Sequence, residues 1–302
     1  MNIKHLFGCI TAVGLVALAS VYFGGPETAI VQNDNPKSEL VETEVLSIDL
    51  SQIAQTEPGE PLSAEEAKKQ ALLEKFFNDF PIIRIDENTA MFDPEHFKYL
   101  SAPYIQKRQE WLAGKGYFYN GEVDAYDTYD IRALEALADQ GDLVAIHALI
   151  ERHMDSENTD REKLFGTYVL ASVHGSTNAL VATGHFHQMK FDSHSLWNDD
   201  IDRASLVNWM AFNEVAVRRG DIDAGVKLER NLASRKIEVS EADRALVEEA
   251  ADIIYASLAQ ERAKLGLDEF DNSVPDYISG YRNNLEDMKE IRDFVAQVEA
   301  SP

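Results

Sequence analysis

Six of the eight histidines in this 302-residue chain fall between residues 147 and 194. A histidine cluster is where metal chemistry would first be sought. His185, His187, Asp192 and His194 offer the nitrogen and oxygen donors that zinc and similar cations take. On a helix, however, positions two apart point about 200° from each other, so His185 and His187 cannot serve one ion from one face. Other signatures fail on their spacing. Gly114-Lys115-Gly116 lacks the spaced glycine and the Ser/Thr of a phosphate loop. The sequence contains no Gly-x-Ser-x-Gly elbow and no His-Glu-x-x-His helix. The acidic run Asn198–Asp202 lacks the glycine and terminal glutamate of a calcium loop, and is read instead as negative charge at a helix N-terminus. No catalytic residue, cofactor or metal ligand is assigned, and the chain is read as a non-enzyme.

The elements that would hold these side chains are marked by a recurring junction. Gly141-Asp142 precedes Ala145, Gly175-Ser176 precedes Ala179, and Gly220-Asp221 precedes Ala224. Glycine accepts the left-handed conformation that ends a helix, and Asp or Ser then accepts from the free amides of the next. Two helices joined this tightly run antiparallel and touch, which calls for a small residue at the crossing. Leu134, Tyr168 and Asn213 lie upstream in equivalent slots; Leu149, Thr183 and Leu228 lie downstream, followed by His153, His187 and Leu232. Three- and four-residue spacing marks one helical face. The glycines are about 34 and about 45 residues apart, the span of helix-pair repeats.

The segments Ala179–His187 and Tyr168–Gly175 resemble Sel1-like repeats, relatives of the tetratricopeptide repeat, over about residues 126–232. The match is degenerate, with Ile150 and Glu229 standing where that family has glycine. His153 and His187 occupy its packing-tyrosine slot. The resemblance implies an all-α fold of superhelical helix-pair repeats that binds proteins. On that arrangement the A-type, inner helices (Asp142–Met154, Ser176–Lys190 and Asp221–Arg235) line the binding face, and His147, Glu151, His185 and Lys227 are the exposed contact candidates.

The flanks complete the plan. Residues 1–23 read as a signal peptide or signal anchor: Lys4 precedes an uncharged apolar run from Leu6 to Phe23. The chain after it is expected outside the cytoplasm, in the periplasm or beyond, with the N-terminal segment inserted in the membrane or cleaved. Residues 24–62, where acidic residues outnumber the single Lys37, read as a disordered tether; Val45–Leu50 is the one strand-like stretch within it. Residues 63–125 read as a helical N-terminal cap, opened by Ser63 and Glu66 and including a helix over about 94–114. Its aromatics either cover the end of the stack or line a groove. Residues 126–235 are the repeats and 236–302 a helical C-terminal cap. In that cap Leu246, Ala250, Ile253, Ile254, Ser257 and Leu258 are the expected inner stripe of one helix; Leu285, Met288, Ile291, Phe294 and Val298 are that of the last. The sole cysteine, Cys9, leaves no disulfide framework. A net charge of −25 repels phosphate backbones, so nucleic acid is excluded and a protein or peptide partner, basic or met through an apolar groove, is expected.

Overall fold

The computed structural model describes residues 47–49, 80–84, 89–118, 121–155, 160–197 and 202–299, with isolated helical positions from Ala67 to Asp79. The proposed signal or anchor and the Ser63–Glu66 capping box lie outside these residues. Among them, no helix is long and apolar enough to cross a membrane. Helices dominate, and the chain divides into two compact units.

One unit takes residues 110–274. Helix α1 (Ala102–Gly114) leads into it, and α2 (Ile131–Ala138), α3 (Leu143–Met154), α4 (Arg161–His174), α5 (Thr177–Trp197), α6 (Arg203–Arg218), α7 (Ile222–Ser234) and α8 (Glu241–Lys264) follow. Consecutive helices from α2 to α7 pack as neighbours, and α8 lies against α6 and α4. Acidic residues start most of them. Asp130, Asp142, Asp160, Asp202 and Asp221 each accept from a backbone amide three residues on. Part of the chain's acidity is thus spent on helix starts, where a carboxylate satisfies free amides and favours the helix dipole. Ser240 and Asp243 close a reciprocal capping box at the start of α8.

Two cores sit between these helices. Leu134, Ile146, Leu149, Leu164 and Tyr168 fill the first, and Leu180, Leu206, Trp209, Val215, Ile254 and Leu258 belong to the second. Of the expected stripe of α8, Ile254 and Leu258 are buried and Ala250 is partly so, but Leu246, Ile253 and Ser257 are exposed, and Val247 and Ala251 take the inner positions. Adjacent apolar pairs, Leu246-Val247 and Ile253-Ile254, give this helix two apolar stripes, and only the second meets α6.

The other unit takes residues 47–109 and 275–299, so the chain's last helix joins residues 47–109, and 236–274 join residues 110–235. Here the structure departs from a purely helical expectation. Ser47–Asp49 (β1), Ile82–Arg84 (β2) and Thr89–Phe92 (β3) form an antiparallel sheet in the order β1-β3-β2, with Ile48 opposite Ala90 and Ile83 opposite Met91. Part of the stretch read as tether is therefore a strand. The helix expected over 94–114 begins only at Ala102, after a 3₁₀ turn at Lys98–Leu100. Helix α9 (Asp276–Glu299) packs on this turn. Phe97 and Ile291 are buried among Phe80, Leu100, Met288 and Phe294. Leu285, expected inside, is 42% exposed, and Asn284 takes the buried position, donating to the His96 carbonyl at 2.9 Å. The side chain of Val298 lies outside the described residues.

Candidate functional site

The three junctions are built alike. Gly141, Gly175 and Gly220 have φ of 86°, 124° and 89°. At each, the glycine amide donates three residues back and the following amide donates five residues back, as in Asp142 N to Leu137 O, Ser176 N to Ala171 O and Asp221 N to Ala216 O. Asp142, Ser176 and Asp221 then accept from the amides of Ala145, Ala179 and Ala224 at 3.0–3.1 Å. All three alanines are buried to 1% exposure or less, which lets the paired helices meet.

Side chains that motif reasoning passed over lace these junctions together. The Lys115 carbonyl accepts from the amides of Thr177 and Asn178 at the start of α5. Its ammonium is buried and donates to the carbonyls of Arg219 at 3.0 Å and Asp271 at 2.8 Å. Arg219, 2% exposed, donates to Ser172 O and Gly175 O at the end of α4, and its guanidinium lies 3.6 Å from the centre of the Phe270 ring. Arg262 stacks on the same ring at 4.8 Å and donates to Val173 O. These cations meet helix C-terminal carbonyls, where the dipole favours positive charge. Burial, reinforced by Arg219, lowers the Lys115 pKa; burial and Arg262 bring that of Arg219 down to about 10. The signal was available: Lys115 and Arg219 each stand directly before a left-handed glycine, where basic residues reach terminal carbonyls.

The histidines do not converge. His187 is 3% exposed and stacks on Phe212 at 5.6 Å, whereas His185 is exposed and bonds Gln188 on its own helix at 3.1 Å. Among the described residues no three His, Cys, Asp or Glu stand close enough to hold a metal; the His194 side chain lies outside them. His147, expected as an exposed contact, is instead 8% exposed, because Phe118 covers it at 5.1 Å and its Nε2 meets Ser176 Oγ at 3.0 Å. Ser176 is fully buried and already serves as the α5 cap, so this serine–histidine pair is inaccessible to a substrate. Burial takes the pKa of both His147 and His187 down to about 4.

The other contact candidates are exposed: Glu151 on α3, His185 on α5 and Lys227 on α7, the last with its ammonium 5.8 Å from the Tyr117 ring centre. Glu151 has a raised pKa through partial burial and the nearby Asp124 and Asp127. An open groove of about 540 Å³ lies beside the start of α2, lined by Tyr129, Asp130, Ile131, Arg132 and Arg152. Tyr129 and Ile131 are nearly half exposed there. Asp202, in the acidic run, caps α6 as its position suggests.

No protein-family model, curated protein or solved structure matches the chain.

Proposed function

We propose that residues 126–235 are a degenerate Sel1-like array that serves as an extracytoplasmic scaffold for a protein or peptide partner. The N-terminal apolar segment would export it, and either anchor it in the membrane or be cleaved. The observation that carries this reading is the threefold Gly–cap–Ala junction with its buried alanines. Repeated helix pairs stacked in register expose an extended surface made of equivalent helices. Glu151, His185 and Lys227, exposed on α3, α5 and α7, would contribute contacts, and the groove at Tyr129 and Ile131 supplies exposed apolar area suited to a partner side chain. The acidity of the chain favours a basic partner. Proximity labelling from the full-length protein in its native envelope tests the reading. Recovery of a defined extracytoplasmic partner, reduced by Glu151→Lys or Ile131→Asp, is the expected result; labelling indistinguishable from an unfused labelling enzyme would refute it.

A further inference from the structure

We propose that this chain cleaves itself between Lys115 and Gly116, with Ser176 as the nucleophile and His147 as the base. The reaction does not depend on the scaffold reading. The serine–histidine pair is closed to an external substrate, but a peptide bond of the same chain already lies against it. Gly116 is buried at φ 84°, and a Cβ there would fall 2.1 Å from Ser176 Oγ and 2.8 Å from His147 Nε2. Only glycine admits so close an approach. Across the same bond, Ser176 Oγ stands 3.4 Å from the Lys115 carbonyl oxygen. The amides of Thr177 and Asn178 donate to this oxygen at 3.0 and 3.2 Å, and the Asn178 side chain donates to the next carbonyl, that of Gly116, at 2.9 Å. Two amides converging at the start of the 21-residue helix α5 are what a tetrahedral oxyanion requires. His147 Nε2, 3.0 Å from Ser176 Oγ, thus meets the nucleophile and lies beside the residue whose nitrogen must leave. Burial keeps this imidazole unprotonated at neutral pH, the form that accepts the serine proton. At the sister junctions the caps Asp142 and Asp221 accept instead from the hydroxyls of Tyr126 and Tyr117.

The step balances within these groups and one water. Ser176 Oγ bonds to the Lys115 carbonyl carbon as its proton passes to His147 Nε2, and the carbonyl oxygen becomes an oxyanion held by the amides of Thr177 and Asn178. Collapse breaks the carbon–nitrogen bond between Lys115 and Gly116. His147 returns the proton to the Gly116 nitrogen, which departs as a free amine, and Ser176 is left as the ester of Lys115. Phe118, which covers His147 at 5.1 Å, belongs to the freed end, so its departure admits the water. Water adds to the ester carbon, and its proton passes through His147 to Ser176 Oγ. Lys115 ends as a carboxylate, releasing a proton to solvent, and the serine is restored. Burial also makes His147 a weak base, so cleavage is slow and occurs once per chain. Phe97 precedes the cut and Ile291 follows it, and both belong to one buried cluster, so the two pieces stay associated under native conditions.

The test follows the full-length chain in mild detergent at neutral pH over several days, by intact mass and denaturing electrophoresis. A piece ending at Lys115 and a piece beginning at Gly116 are expected, formed at a first-order rate that does not change with protein concentration. Hydroxylamine should speed their release and leave a hydroxamate on Lys115, because it intercepts the ester. Ser176→Ala and His147→Gln should each slow the cut by about 100-fold or more, with helical content by circular dichroism unchanged. If Ser176→Ala does not fold, His147→Gln, in which the serine cap remains, carries the comparison. A chain that stays whole in hydroxylamine, a cut at another bond, a rate that rises with concentration, or cleavage undiminished in either folded variant would each overturn the proposal.

Discussion

The Lys115 ammonium lies 3.0 Å from the backbone carbonyl of Arg219, so one buried cation is held by the main chain of another. Among the described residues, neither has a carboxylate within salt-bridge distance. Arg219 reaches Ser172 O and Gly175 O, and Lys115 reaches Asp271 O. Backbone carbonyls, those of Arg219, Ser172 and Gly175 at helix ends and that of Asp271 in a loop, supply the compensating negative potential.

Arg219→Ala should therefore cost roughly 3 kcal/mol, because it strands two carbonyls that accept charge-assisted bonds and removes the stack on Phe270. Arg219→Lys recovers only part of this, since a single ammonium cannot reproduce the planar fork. Urea unfolding of the soluble portion reads both. A loss below 1 kcal/mol for Arg219→Ala would show that the junctions hold without the guanidinium.

Acid should destabilise the fold well before general carboxylate protonation does. His147 and His187 have folded pKa values near 4 against 6.5 when unfolded. A lowered folded pKa means that the unfolded chain takes up protons first. The stability contributed is complete above pH 6.5 and is lost as pH falls from there to about 4. Each histidine accounts for about 2–3 kcal/mol of that loss. The double variant His147→Gln/His187→Phe should flatten the pH profile of the thermal midpoint in this window. Asp243, held down to about 2 by Ser240 and then Arg203, acts in a different range: its contribution is present above about pH 4 and declines below.

Left-handed positions separate strain from crowding. Gly266 (φ 71°) has open space around it, whereas a Cβ at Gly220 would lie 3.1 Å from Ser273 O. Gly266→Ala should cost about 1 kcal/mol from conformation alone, and Gly220→Ala more. Lys236 adopts φ 55° in the same kind of helix ending, so Lys236→Gly should raise stability by up to about 1 kcal/mol in calorimetry.

In the second unit, a Cβ at Gly280 would fall 2.2 Å from the Tyr99 ring. Gly280→Ala should cost about 1–3 kcal/mol, measured by proteolysis within α9, and Tyr99→Leu should partly relieve it.

Legibility in the sequence followed the range of the determining contacts. Each junction is written in five consecutive residues, so Gly141, Ser176 and Ala224 disclosed the helix ends, the caps and the crossings. The burial of His147 depends on Phe118, and the partner of Ser47–Asp49 is Thr89–Met91; neither relation leaves a local trace. The phase of α8 was undecidable from its own residues, because Leu246 and Val247 satisfy the same periodicity and only α6 distinguishes them. Lys115 and Arg219 each stand before a helix-ending glycine, which is a local signal, but the carbonyls that receive Lys115 lie 104 and 156 residues away and leave none.

The bond from Lys115 to Asp271 spans 156 residues, which fixes an order of events during synthesis. The lysine leaves the ribosome early but must wait for nearly the whole unit to emerge before its second acceptor exists. Until then the last of these junctions stays unfastened, and a chain halted short of Phe270 would be left with two guanidinium groups lacking their shared ring.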